Sequence, residues 1–187
     1  MNKRQKGFTL IELLIVVAII LIIAAIAIPN LLRSRMAANE ASAVGAVRTV
    51  VTAQVTYAST YSSGFSNTLQ GLSGPAGATA DCTTPQAELL DPTFNMADPV
   101  IKSGYKFTMN GGSGVTVPTN ACGATTDLES FSVVAFPITV GTTGTRSFCD
   151  DQTGAIMFDP TGALNTSGGV ACGTGTGGDG FSQALGN

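Results

Sequence analysis

From Phe8 to Ile28 the chain reads FTLIELLIVVAIILIIAAIAI, a run of apolar residues in which Glu12 is the one ionisable side chain. As a helix rising about 1.5 Å per residue, these 21 positions reach roughly 32 Å, which matches a bilayer hydrocarbon core of about 30 Å. Beyond Pro29 polar residues interleave, yet a helical period persists. Val44, Val47, Val51 and Val55 recur at spacings of three, four and four, and Ala41 and Ala58 extend the stripe. Arg33, Asn39, Glu40, Arg48 and Gln54 fall mostly off it. The pattern predicts a helix from about Phe8 to about Tyr61, kinked near Pro29, whose second half turns its valine face to a globular domain. Ser62, Ser63 and Gly64 end it, and the Gly, Ser, Thr and Asn content as far as about Gly77 predicts a loop.

Period-two signals come later. GYKFTMNGG (Gly104 to Gly112) alternates Tyr105, Phe107 and Met109 with Lys106 and Thr108, as a half-buried strand does. SFSVVAFPI (Ser130 to Ile138) is a second strand, with Pro137 at its end or on a sheet edge. TRSFCD (Thr145 to Asp150) and AIMFD (Ala155 to Asp159) form a hairpin about Asp151 to Gly154, where acid first and glycine last suit a type I turn. The expected fold is therefore α+β: a long kinked amino-terminal helix packed on an antiparallel sheet of about four strands. From Thr161 onward the glycine-rich sequence predicts loop, with a short ordered stretch near Cys172.

Composition narrows the chemistry. The 187 residues suffice for one membrane element and one globular domain. There is no histidine, which removes the commonest general base and zinc ligand, and no reactive constellation of other residues declares an enzyme. Of nine basic residues, Lys3, Arg4 and Lys6 precede the apolar run, so without that leader the formal charge moves from −3 to −6. An acidic domain argues against a nucleic acid partner, and Arg33, Arg35 and Arg48 read as a solvated helix face.

Cys82, Cys122, Cys149 and Cys172 all follow the apolar run, with no C-x-x-C spacing, and read as two disulfides formed in an oxidising compartment. Three pairings are possible. Cys82 with Cys122 and Cys149 with Cys172 is favoured, because the second bridge pins the glycine-rich tail, and closing a loop of about 22 residues adds on the order of 3 kcal/mol in the chain-entropy model.

The amino terminus is too long and too poorly ended for an ordinary secretory signal, since no small-x-small cleavage site follows the run. A single-span anchor fits, with the basic leader retained in the cytoplasm. It does not account for Glu12, because a charge at mid-helix costs roughly 2.5 to 3.5 kcal/mol on insertion scales. Thr9 and Glu12 spell T-x-x-E, a capping box that would start the helix near Thr9 and set the carboxylate at the positive end of the helix dipole.

The stretch KGFTLIELLIVVAIILIIAAIAIP, Lys6 to Pro29, resembles the amino terminus of type IV prepilins and of the pseudopilins of type II secretion over its whole length. The match comprises the short basic leader, the Gly-Phe-Thr-Leu-Ile-Glu junction and the closing proline. The resemblance implies that a prepilin peptidase cuts between Gly7 and Phe8 and methylates the new amine. It implies that the Glu12 carboxylate pairs with the Phe8 amine of a neighbouring subunit, and that Pro29 lets the helix yield. Many relatives carry a glycine where this chain has Leu21.

The organisation so implied is a leader at 1–7, a membrane and filament-core helix at 8–29, its amphipathic continuation at 30–61 and a globular head at 62–187. The expected function is a major pilin polymerising into an extracellular filament for adhesion, motility or DNA uptake, with a pseudopilin as the alternative. Its partners would be copies of itself, the prepilin peptidase, the inner-membrane assembly machinery and, before assembly, the membrane. No cofactor is expected. Asp150, Asp151, Asp159 and Asp179 are candidate calcium oxygens but lack EF-hand spacing, and turn and surface roles are expected of them. Asn165 to Ser167 forms a short sequon and reads as polar loop.

Overall fold

The computed structural model describes residues 8–61, 64–66, 68–73, 89–95, 99–111, 114–115, 127–162, 172 and 183–185. The chain divides into two compact units, Met1–Arg35 and Met36–Asn187. Helix α1 (Leu10–Tyr61) contains Pro29 within its span. The proline does not end the helix: the missing amide removes one hydrogen bond, and the strongly helix-forming residues around it keep the ladder going.

In the second unit a six-stranded antiparallel sheet runs in the order β1 (Val100–Lys102), β2 (Tyr105–Gly111), β5 (Phe131–Pro137), β6 (Ser147–Asp151), β7 (Met157–Asp159) and β8 (Gln183–Ala184). A separate pair joins β3 (Gly114–Val115) to β4 (Asp127–Leu128). Four of the six strands are those the alternation predicts. The additional β1 pairs with β2 through a two-residue turn in which both Ser103 (φ 50°) and Gly104 (φ 77°) are left-handed, the geometry a tight hairpin requires. Three residues are too few to register as a period. The Asp151–Gly154 turn closes as expected, with the Gly154 N–H donating to the Asp151 carbonyl at 3.0 Å. The segment after Gly64, which its composition predicts to be loop, holds a short helix, α2 (Leu69–Leu72), capped by the Thr68 hydroxyl, which accepts from the Gly71 N–H.

Alternation sorts the sheet into two faces. Tyr105, Phe107 and Met109 of β2, Phe131, Val133 and Ala135 of β5 and Phe148 of β6 form one core with Ala43, Ala46, Val47, Val50, Val51, Ala53 and Tyr57 of α1. The buried helical stripe thus sits further round than the valine pattern suggests. Val47 and Val51 belong to it, but Val55 is 53% exposed and Gln54 is buried in its place. The Gln54 amide makes this possible: its Nε2 donates to the Ser66 carbonyl and its Oε1 accepts from the Ser66 N–H, both at 2.9 Å, as a strand neighbour would. On the opposite face Val134 and Cys149 pack with Cys172.

Candidate assembly site at the amino terminus

Helix α1 starts where the capping box places it. The Thr9 N–H donates to Glu12 Oε2 at 2.9 Å, the Thr9 hydroxyl donates to the same oxygen at 2.5 Å, and the Glu12 N–H returns a longer bond to Thr9 Oγ1 at 3.3 Å. Two amide donors at the helix terminus are satisfied reciprocally. Both Thr9 groups use Oε2, which leaves Oε1 open among the described residues. Phe8 precedes the first turn and is 78% exposed. Gly7 lies outside the described residues.

Behind this cap the apolar run is exposed along its length, from Leu10 through Leu21 (64% exposed) to Leu32. The helix is long and apolar enough to cross a membrane, and none of its most apolar stretch is buried. Burying one side chain of this size is worth about 1.5 to 3 kcal/mol, so a surface of this extent calls for lipid or for protein around it. Chemically, the segment offers a carboxylate oxygen in the first turn of α1 and an apolar rod behind it.

The second unit holds a buried ionic site that the sequence did not single out. Glu40 falls off the predicted valine stripe, yet it is buried. Its Oε1 accepts from the Thr145 N–H and hydroxyl, each at 2.8 Å, and its Oε2 accepts from Arg146 Nε at 2.9 Å and Nη2 at 2.6 Å. Burial disfavours the charge, but the Thr145 amide, the Arg146 guanidinium and the Thr145 hydroxyl together outweigh it and hold the carboxyl below its ordinary range. Asn39 adds a bond from Nδ2 to the Thr143 carbonyl at 2.9 Å. Together these bonds pin the turn between β5 and β6 to α1. A surface-like glutamate 105 residues from its partner carries no local signal.

The remaining candidates sort as follows. Cys149 and Cys172 form a disulfide with Cα atoms 5.7 Å apart. Cys82, Cys122, Asp179 and the Asn165–Ser167 sequon lie outside the described residues. Asp151 caps the β6–β7 turn through Thr153, and Asp159 accepts from the amide and hydroxyl of Thr161. No group of three potential metal ligands occurs among the described residues. Asp150 faces the core and is buried, its Oδ1 accepting from the Asp151 N–H at 2.9 Å. Burial first, then the Asp151 charge, push its carboxyl up to about 6, against that amide bond and the Arg48 charge. Arg33, Arg35 and Arg48 are exposed along α1.

Comparisons with known proteins single out the same segment. Residues 2–28 match the family model described as the prokaryotic N-terminal methylation motif. The chain is 48% identical over 56 residues to the type IV major pilin protein PilA of Myxococcus xanthus, covering 30% of this chain and 26% of that protein. It is 66% identical over 38 residues to the type IV wide pilus major component PilA4 of Thermus thermophilus, covering 20% of this chain and 29% of that protein. The chain thus matches just over a quarter of the length of these relatives. No solved structure matches it. The chain carries the prokaryotic N-terminal methylation motif at residues 2–28 and is similar to type IV major pilin subunits over that segment and the residues that follow it.

Proposed function

We propose that this protein is the major structural subunit of a type IV pilus. A prepilin peptidase cuts the leader between Gly7 and Phe8 and methylates the Phe8 amine. The processed helix waits in the inner membrane, and the assembly machinery then draws it into a filament of identical copies that extends from the cell surface. Glu12 pairs with the Phe8 amine of a neighbouring copy, and Pro29 is where the helix yields during packing. The protein has no catalytic role of its own in this scheme.

One observation carries the reading: an exposed apolar rod whose one ionisable side chain sits within a turn of the future amino end, with one carboxylate oxygen open. A desolvated carboxylate without a partner is heavily penalised, whereas a paired one is tolerated, so the same group that disfavours lipid fixes the register between subunits. The head supplies a folded outer domain, and the disulfide secures its carboxyl-terminal segment outside the cell.

The test is Glu12→Gln in a strain lacking the native gene. The variant is expected to be processed and to accumulate in the membrane, with filament yield reduced by an order of magnitude or more. Normal filament yield would remove the pairing role. Loss of exported enzymes on deletion, with no filaments in the parent, would move the protein to the pseudopilins.

A further inference from the structure

The polar side chains of the head are for the most part paired. Arg146 serves Glu40, Lys102 lies over the Phe94 ring with its Nζ 4.9 Å from the centroid, and Asp91, Asp151 and Asp159 cap turns. Besides Arg48 on α1 and the ring-bound Lys102, two oppositely charged groups of the second unit make no hydrogen bond or ion pair among the described residues: Lys106 on β2 and Glu129, which follows β4. The register sets them at opposite ends of the long β2–β5 pair. Lys106 stands opposite Phe136, near the end where Tyr105 meets Pro137, while Glu129 lies just before Phe131, which meets Gly111 at the other end. Strands of this length are about 20 Å from end to end.

Lys106 also has apolar company. On the face turned away from α1, the neighbouring register positions are Ile101 of β1, which is 55% exposed, and Phe136 of β5; Ile138, 43% exposed, follows at the same end of the sheet. An unpartnered ammonium bordered by exposed isoleucines describes a patch that is incomplete in the single chain. Its complement is an acidic group. The processed chain itself is acidic, so other copies of it carry such groups.

We propose that the Ile101–Lys106–Ile138 patch of one head docks against the Glu129 end of the head of a second copy. This rests on the filament reading above and names the contact made by its outer layer. Because the two surfaces differ and lie at opposite ends of one sheet, the contact is heterologous. Repetition of such a contact by a rotation that does not close generates an open helical array, not a ring. The lysine–glutamate pair sets orientation while the isoleucines exclude water around it, so the contact is weakened by salt and not abolished.

Full-length Lys106→Glu, Glu129→Lys and the double reversal carrying both changes separate the possibilities. Each is expressed in the strain lacking the native gene, with head folding checked by resistance of the membrane-held precursor to protease. Each single reversal is expected to reduce sheared filament yield by about tenfold, or to make filaments that dissociate at lower salt, because it places like charges together. The double reversal is expected to restore both properties. Unreduced yield and salt resistance in both single variants would overturn the contact while leaving the filament reading intact. So would single defects that the double reversal fails to repair in a folded head, since the two groups would then not face one another. Absence of filaments from the parent chain would instead strike at the filament reading.

Discussion

Asp150 and Glu40 show how two buried carboxyl groups on one head come to opposite protonation preferences. Glu40 meets a guanidinium and an amide and stays charged, whereas Asp150 has one amide bond and an exposed arginine and resists ionisation. The consequence for pH follows from where protons bind. With a folded-state value of about 6 against an ordinary 3.8, the folded chain holds the Asp150 proton over an interval in which the unfolded chain has lost it. Stability from this group is therefore fullest below about pH 4, falls as pH rises through that interval, and is level above it, with a total swing of up to about 3 kcal/mol. Asp150→Asn, which keeps an oxygen for the Asp151 amide, is expected to flatten this dependence and raise Tm at pH 7.5. Thermal melts of parent and variant at pH 4.5 and 7.5 check it: a parent Tm equal at both values, or a variant less stable at pH 7.5, contradicts the assignment.

Helix α1 is the element where sequence and structure diverge most usefully. The apolar run, the capping box and the continuation to Tyr61 are all legible, because each is a local pattern of residue type and spacing. The face that the second half buries is not. Val55 is a good apolar candidate left in solvent, and Gln54 is a polar residue drawn inside because the Ser66 backbone, in the segment after the helix, satisfies both ends of its amide. Glu40 escapes detection for the same reason, since its partners Thr145 and Arg146 are distant in sequence. In the sheet, β2 and β5 are legible as seven-residue strands with alternating or apolar patterns, while β1, β3, β4 and β8 are two or three residues long and are fixed by pairing alone.

The position of the buried stripe has a measurable consequence. Val50 is fully buried among the core residues, so Val50→Ala in the detergent-solubilised full chain should lower stability by about 1 to 2 kcal/mol, the lost packing being partly offset by the better helix propensity of alanine. Val55→Ala should lie within about 0.5 kcal/mol of the parent. Equal losses at the two positions would restore the valine stripe in place of the one described.

At the scale of the whole molecule, the chain joins a head with its own core to an apolar segment that has none. The described part of the head has its own core of sheet and helix stripe, with the Glu40 ionic site and the Cys149–Cys172 bridge, and leaves Thr108 Oγ1 and Asn110 Nδ2 of β2 buried without a partner among the described residues. The amino-terminal segment leaves its large side chains open and satisfies only its first turn. Such a division suits a subunit whose apolar part changes surroundings, from lipid to the helices of other copies, while its outer part stays folded. The segment was recognisable from sequence because its chemistry is local; the contact proposed between heads had to wait for the register that places Lys106 and Glu129 at opposite ends of the β2–β5 pair.

The most direct test of the central claim is mass spectrometry, with amino-terminal sequencing, of the subunit in filaments sheared from the cell surface. The account predicts filaments built of this chain, beginning at an N-methylated Phe8 and lacking residues 1–7. Filaments without this chain, or a chain found only in the membrane with its leader intact, would contradict it.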